Sequence, residues 1–173
     1  MGLLDTIEFE HKKITDPSDL KPFSCDDEEI NSFYKQDIIP HAKSLISVSY
    51  LFETGGKVLG FYCVSNDRVD AKFSKIKYIV PYGKLYGGAP AVKIGRLGVS
   101  SEFERQGVGS DILNFIKYSF SNNNKTGCRF IVVDAANMRK VINFYEKNDF
   151  KFLTNEDKKS DTRIMYFDLI RYR

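Results

Sequence analysis

The spacing of apolar positions changes from segment to segment along this chain, and each spacing predicts a different element. Ile7, Phe9 and His11 alternate with polar neighbours, the period of a first β-strand. Thr15-Asp16-Pro17-Ser18 reads as a turn. Ser24-Cys25-Asp26-Asp27-Glu28-Glu29 gathers acids where a helix begins. Ile30, Phe33, Tyr34 and Ile38 follow at helical spacing as far as Pro40, which is expected to break that helix. Two β-rich runs, Val48 to Phe52 and Val58 to Val64, flank Gly55-Gly56 and predict a hairpin. From about Ala71 to Pro90 the chain reads as an irregular connection, with Pro81, Gly83, Gly87, Gly88 and Pro90 as breakers.

In the second half, Val108, Ile112, Leu113, Ile116 and Phe120 form the apolar stripe of a helix, with Asp111, Asn114 and Lys117 assigned to its other side. Ser121 to Gly127 stops it. Phe130-Ile131-Val132-Val133 is a buried strand, and Asn137 is placed to cap a helix carrying Met138, Val141, Ile142 and Tyr145 at i, i+3, i+4 and i+7. Phe150 to Leu153 and Ile164 to Leu169 close the chain as strands. The order is a β-rich half with one early helix, then β-α-β-α-β-β, which gives an α+β or mixed-sheet fold.

The strand from Ala91 to Val99 does not keep one phase. Val92 and Ile94 share a face under period-2 alternation, whereas Leu97 and Val99 fall on the other. One extra residue does this, so a β-bulge is expected between Gly95 and Gly98. A strand buried on both faces would carry the same letters without a bulge.

At 173 residues the chain is long enough for one domain, residues 1–173, with a sizeable core. Its 42% hydrophobic and 28% charged residues are ordinary for a globular protein. No apolar run reaches the roughly 20 residues of a membrane helix, so no membrane role is expected. The N-terminus has neither the basic start nor the extended apolar stretch of a signal peptide, and its loose N-myristoylation pattern (Met1-Gly2 with Thr6) reads as chance. Cys25, Cys63 and Cys128 are odd in number and not in metal spacing, so a reducing, cytoplasmic setting is expected, with Cys63 and Cys128 as small buried hydrophobes. The net charge of +3 permits an anionic ligand or RNA without demanding one.

Candidate chemistry concentrates between Arg96 and Ser110. An apolar strand runs into a polar loop and then into Gly107-Val108-Gly109, which opens a helix. Glycines there let backbone approach a ligand, and a helix N-terminus offers unpaired N–H groups to an anion such as a phosphate. Position 112 is Ile, which sets aside a dinucleotide fingerprint, and Ser110-Asp111 after Gly109 sets aside a P-loop. Neither a His-Glu-x-x-His nor a Cys-x-x-Cys stands in the sequence to suggest a metal centre. His11 and His41 lack partners at motif spacing and read as surface residues. Glu102, Glu104, Asp134 and Glu146 are candidates for a general base among which the spacing does not choose.

Residues 92 to 118, read as strand, loop and helix, together with Phe144-Tyr145-Glu146-Lys147-Asn148-Asp149-Phe150, resemble the GNAT superfamily of acetyl-CoA-dependent N-acetyltransferases. The resemblance implies a mixed, mostly antiparallel central sheet flanked by helices, acetyl-CoA as co-substrate and a primary amine as acceptor attacked directly. It also assigns roles. The backbone of Leu97, Gly98 and Val99 would hold the pantetheine arm and the thioester carbonyl. The N–H groups of Arg105, Gln106, Gly107, Val108, Gly109 and Ser110 would cradle the pyrophosphate. Asn137 would touch the cofactor, and Tyr145 would protonate the leaving thiolate. Tyr145 also belongs to an apolar helix stripe, so its own spacing fits a core residue equally. The chain departs from the family pattern at Glu104, where Gln or Arg is usual, at Asp149, where Gly is usual, and at Asn137, which stands eight rather than seven residues before Tyr145.

Phe23-Ser24-Cys25-Asp26 with Ile30-Asn31-Ser32-Phe33, Lys93 to Val99 and Val133-Asp134-Ala135 further resemble the toxin branch of this superfamily. That branch acetylates the α-amine of aminoacyl-tRNA and pairs with an antitoxin. It would make Lys35, Lys43, Arg96, Arg139 and Lys140 candidate phosphate contacts. The opposing expectation is a non-catalytic CoA-binding or protein-interaction module that has kept the cradle. The sequence leaves a homodimer open.

Overall fold

A computed structural model describes residues 2–70, 87–122 and 124–172; the expected irregular connection therefore lies mostly outside the described residues. The strands are β1 (Glu10–Ile14), β2 (Val48–Thr54), β3 (Lys57–Asp70), β4 (Gly88–Val99), β5 (Phe130–Ala136), β6 (Lys151–Phe152) and β7 (Thr162–Asp168). The helices are α1 (Glu28–Ser32), α2 (Ile38–Lys43), α3 (Val108–Ser121) and α4 (Arg139–Lys147). Seven strands hydrogen-bond in the order β1-β2-β3-β4-β5-β7-β6, and the pairs β1–β2, β2–β3, β5–β7 and β6–β7 are antiparallel. The expected α+β fold with a mostly antiparallel sheet is what the chain adopts. It divides into two compact units, Met1–Ser65 with Ile94–Phe115, and Asn66–Lys93 with Ile116–Arg173.

In the first unit, Thr54 pairs with Lys57, so Gly55-Gly56 is a two-residue hairpin turn. Both glycines have positive φ (54° and 79°), the type I′ geometry whose twist matches the flanking strands. β1 starts three residues later than the alternation of Ile7, Phe9 and His11 suggests, because only Glu10 to Ile14 find partners on β2. Glu10 stands directly opposite Glu53 in that register, a like-charge pair that Lys12 offsets by placing its ammonium 2.7 Å from both carboxylates.

Asp27 caps α1 by accepting from the N–H groups of Glu29 (2.9 Å) and Ile30 (3.2 Å). Pro40 does not break the helix as expected. The chain passes from α1 through a π-helical turn over Phe33–Asp37, where the Ile38 N–H reaches back to the Phe33 carbonyl, and Pro40 then sits inside α2. The widened turn shifts the hydrogen-bond ladder before the proline, whose missing N–H and bulky ring would otherwise disrupt it. Phe23, Phe33, Tyr34 and Ile38 pack with Leu51, Phe61 and Cys63 of β2 and β3 into the core of this unit.

His11 is a second departure. It is half-buried rather than a surface residue, its ring stacked on Tyr50 (5.0 Å) and 4.4 Å from Phe115, with Nε2 hydrogen-bonded to the Tyr62 hydroxyl at 3.1 Å. Burial pushes the imidazole below its ordinary value. The unfolded chain then takes up this proton more readily than the folded one, so the contribution is present above about pH 6.5 and is lost as pH falls below it. Melting temperatures should therefore drop on acidification from pH 7.5 to 5, and the drop should be smaller in His11→Phe, compared by circular dichroism. Equal drops in both proteins would remove His11 from the account.

In the second unit, Phe130 and Val132 of β5 pack with Tyr166 of β7, Leu153, Val69, Ala89 and Ala91. β4 begins at Gly88, so Pro90 lies within a strand instead of the expected connection. Asn137 does not cap α4. The N-cap is Met138, with no side-chain hydrogen bond, because the Asn137 amide is turned to the carbonyls of Lys158 (3.1 Å) and Ser160 (2.8 Å). Nor does Lys117 lie on a solvent face of α3: it is 3% exposed.

Candidate functional site

The site begins with a change of phase in β4. A Cβ at Gly95 would meet Cys63 Sγ at 3.1 Å, and a Cβ at Gly98 would meet Phe61 Cε1 at 2.8 Å and Ile30 Cγ2 at 2.7 Å. Phe61 and Cys63 are two apart on β3 and share a face. Gly95 and Gly98 thus address the same face although they stand three positions apart, which strict alternation forbids. One extra residue sits between them, the bulge read from the sequence. Burial pushes the neighbouring Cys63 thiol up, so it is not a poised nucleophile.

Gly60 has a role that the sequence pattern did not single out. A Cβ there would lie 2.6 Å from the Gly98 carbonyl oxygen and 2.8 Å from Ile112 Cδ1. Only glycine lets β3, the end of β4 and α3 approach so closely. A glycine inside an apolar strand was the available signal. Gly98 itself is closed in by Phe23, Ile30 and Phe61, so the backbone of Leu97, Gly98 and Val99 is fixed from behind.

After Val99 the chain is tied down twice, by Ser100 N–H to the Leu59 carbonyl and Ser101 N–H to the Ser24 carbonyl (both 3.0 Å). A 3-10 turn over Ser101–Phe103 follows. Arg105 (φ 60°) and Gly107 (φ 88°) then adopt left-handed backbone around Gln106. Such reversals turn successive N–H groups inward to form a concave anion nest. Among the described residues, the N–H groups of Glu104, Arg105, Gln106, Gly107, Val108 and Gly109 have no hydrogen-bond acceptor. The Gly107 carbonyl accepts from Ser110 and Asp111 and starts α3. The nest and the helix N-terminus therefore present their donors together.

Side chains brace the loop more than they line it. Gln106 Nε2 donates to the Glu102 carbonyl at 3.1 Å, and Glu102 is paired with Lys57. Arg105 is exposed and has no ion-pair partner among the described residues. Of the other candidate bases, Asp134 is paired with Lys93, while Glu146 is exposed on α4. Arg96 is engaged by Glu29 and by the Gly95 carbonyl (2.8 Å), over the ring of Phe33.

Tyr145 and Asn137 belong to the second unit. Tyr145 is on the last turn of α4, its ring against Phe144 (5.1 Å) and Phe150 (5.3 Å). Burial pushes its phenol up to about 12, so it remains a proton-bearing donor at neutral pH. Asp149 holds a left-handed φ of 65°, and the N–H groups of Asn148 and Phe150 both donate to the Tyr145 carbonyl at 3.0 Å. The turn that usually takes glycine here survives with aspartate. Asn137, by contrast, spends its amide on the 158–160 backbone. Arg139 and Lys140 occupy the first turn of α4, whose N-cap makes no side-chain hydrogen bond.

Among the described residues, no helix is long and apolar enough to cross a membrane. A family model described as acetyltransferase (GNAT) domain matches residues 47–152. No curated protein matches the chain by sequence. Solved structures share its fold. AtaT complexed with acetyl-methionyl-tRNAfMet is 20% identical, covering 95% of this chain and 97% of that one with a TM-score of 0.80. A tyrosine-to-phenylalanine mutant of KacT is 19% identical over 95% and 97% of the two chains, with a TM-score of 0.78. A mutant AtaT toxin bound to the C-terminus of the antitoxin AtaR and acetyl-CoA is 19% identical over 95% and 96%, with a TM-score of 0.75.

Proposed function

The chain belongs to the GNAT acetyltransferase family, and from that premise we propose that it moves the acetyl group of acetyl-CoA to the α-amine of aminoacyl-tRNA. Residues 1–173 are read as one transferase domain working in the cytoplasm, with an antitoxin as protein partner. The observation that carries the reading is the run of unpaired N–H groups from Glu104 to Gly109, held by left-handed Arg105 and Gly107 at the head of α3. Unpaired donors on a left-handed loop at a helix start suit a diphosphate, and the exposed Arg105 guanidinium supplies the cation that Glu104 does not.

The reaction assigned to this chain is a direct transfer. The amine nitrogen bonds to the thioester carbon while backbone N–H groups near Leu97 to Val99 stabilise the oxyanion. The C–S bond then breaks, the Tyr145 hydroxyl donates to the departing sulfur, and the amine's proton leaves to water. The acceptor choice rests on the toxin-like motifs and on the likeness to AtaT, whose solved complex contains acetyl-methionyl-tRNAfMet. Arg139 and Lys140, cationic at a helix start that favours anions, suit an RNA phosphate backbone. Both amide hydrogens of Asn137 are taken by the carbonyls of Lys158 and Ser160, so the cofactor contact that the resemblance gives it would fall to its amide oxygen.

Incubation with labelled acetyl-CoA and a panel of amines, charged tRNAs among them, tests the proposal: label should appear on the aminoacyl group. Label on a small amine but on no charged tRNA would overturn the acceptor assignment. Binding without transfer to any acceptor would favour the non-catalytic module. Gly107→Val forces a branched side chain into left-handed backbone and should weaken acetyl-CoA binding about tenfold or more by calorimetry.

A further inference from the structure

α3 carries a lysine that the sequence pattern places in solvent and the fold places in the core. Lys117 is 3% exposed. Its ammonium lies 4.4 Å from the ring centre of Phe167 and 5.9 Å from that of Phe150, and donates to the carbonyl of Asn148 at 2.9 Å. Burying a lysine is costly unless its head group is well met. Nothing in the acetyl-transfer chemistry described above uses it directly, so its position needs another explanation.

The carbonyl that it holds belongs to the turn that ends α4. Asn148 N–H donates to the Tyr145 carbonyl (3.0 Å), Asn148 Nδ2 to the Phe144 carbonyl (2.8 Å), and Phe150 N–H to the Tyr145 carbonyl (3.0 Å). The Phe150 ring then packs against the Tyr145 ring at 5.3 Å. The chain of contacts runs from Lys117 through Asn148 and Phe150 to Tyr145 without a gap. The turn also contains Asp149 in left-handed backbone, a conformation that aspartate tolerates less well than glycine, so it has reason to be held from outside.

From these contacts we infer that Lys117 is a positioning residue: it fixes the Asn148–Phe150 turn and thereby the direction in which Tyr145 presents its hydroxyl. The inference rests on the donor role given to Tyr145 above. Burial pushes the Lys117 amine below its ordinary value, and the nearby Asp149 opposes this. A neutral amine would still donate to the Asn148 carbonyl, so the role does not depend on the charge.

The test compares Lys117→Met, which keeps the apolar stem and removes the donor, with Lys117→Arg and Lys117→Gln, which restore one. With the best acceptor from the amine and tRNA panel, Lys117→Met should lower kcat about 10- to 100-fold, the scale of a misplaced reacting group. KM for acetyl-CoA should stay within about twofold, because the cradle is untouched. Arg and Gln should each recover part of the loss. In the Tyr145→Phe background the same Met substitution should cost almost nothing, since both act through one hydroxyl.

A second readout is independent of turnover. With tyrosines labelled at Cζ, the resonance missing from Tyr145→Phe identifies Tyr145, and in Lys117→Met that resonance alone should shift. An unmoved resonance, an unchanged kcat, or a Met effect that persists in full without the Tyr145 hydroxyl would overturn the inference. If Tyr145→Phe is itself fully active while the resonance still shifts, the donor reading fails and the positioning contact stands. Should Lys117→Met not fold, Lys117→Leu, which also lacks the donor, carries the comparison, and an unmoved Tyr145 resonance in it would overturn the inference.

Discussion

Tyr145→Phe should bind acetyl-CoA as tightly as the unaltered protein and turn over about 10- to 100-fold more slowly. The magnitude follows from what the hydroxyl can do. Its phenol is pushed up to about 12 by burial, well above the roughly 8.5 of an ordinary thiol. Complete transfer of the proton to the sulfur is uphill from there, and a hydrogen bond to the accumulating negative charge is the larger contribution. Hydrogen bonds to charged groups are worth about 1.5–3 kcal/mol, and each 1.4 kcal/mol is about tenfold in rate. The same value fixes the pH dependence. A group raised to about 12 keeps its proton through the neutral and mildly alkaline range, so Tyr145 should put no alkaline limb on kcat below about pH 11. A loss of acetyl-CoA affinity in calorimetry, with turnover per bound complex unchanged, would make Tyr145 a packing residue and return it to the apolar stripe of α4.

Arg129→Ala should be the most destabilising single change among the ion pairs of the described residues. Arg129 meets Asp168 with both arms of its guanidinium, Nε to Oδ1 at 2.7 Å and Nη2 to Oδ2 at 3.0 Å, and Asp168 is only 8% exposed. Asp168 Oδ1 also accepts from the N–H of Ile170 at 3.3 Å, and the Leu169 N–H donates to the Arg129 carbonyl at 3.0 Å, so the pair holds the end of β7 beside β5. Removing the arginine strands a buried carboxylate, which costs about 3–5 kcal/mol. For a chain of this size that corresponds to a fall in melting temperature of roughly 6–20 °C. Lys57→Ala is the matched control: its partner is Glu102, and both side chains are more than half exposed (61% and 55%). Water screens that pair, and its loss should leave the melt unchanged within error. If the two substitutions lower the melt equally, burial is not what makes the Arg129–Asp168 pair matter.

Elements whose signal is local were legible in the sequence. Gly55-Gly56 dictates a turn with two positive φ values, and no distant partner is needed to read it. The bulge showed because a phase slip is arithmetic on neighbouring letters, and the cradle showed because a strand, a polar loop and a glycine-opened helix follow one another directly. What stayed hidden depends on residues far away in the chain. Lys117 looks like any polar helix position until the Asn148 carbonyl and the Phe167 ring are placed beside it. His11 looks like a surface histidine until Tyr50, Tyr62 and Phe115 surround it. Asn137 looks like a helix cap until the carbonyls of Lys158 and Ser160 compete for its amide. Pro40 obeyed its local rule, yet the outcome changed because one helical turn widened upstream. For Lys117, His11 and Asn137 a non-local partner outweighed a local preference, the ordinary limit on reading structure from propensity, whereas at Pro40 the neighbouring turn did so.

The extra residue between Gly95 and Gly98 makes the end of β4 sensitive to length more than to composition. Deleting one position there would restore strict alternation, and every residue from the deletion to Val99 would change sides. Leu97 would trade places with its neighbours, and the closely fitted contact between Gly60 and Gly98 would face a side chain. A substitution at Arg96 alters one contact, whereas a single-codon deletion reassigns the whole strand end and moves the Arg105–Gly109 donors with it. Descendants of this gene should therefore vary in the letters between Gly95 and Gly107 while keeping their number, and a library that samples insertions and deletions across β4 should recover active clones only where the count is preserved.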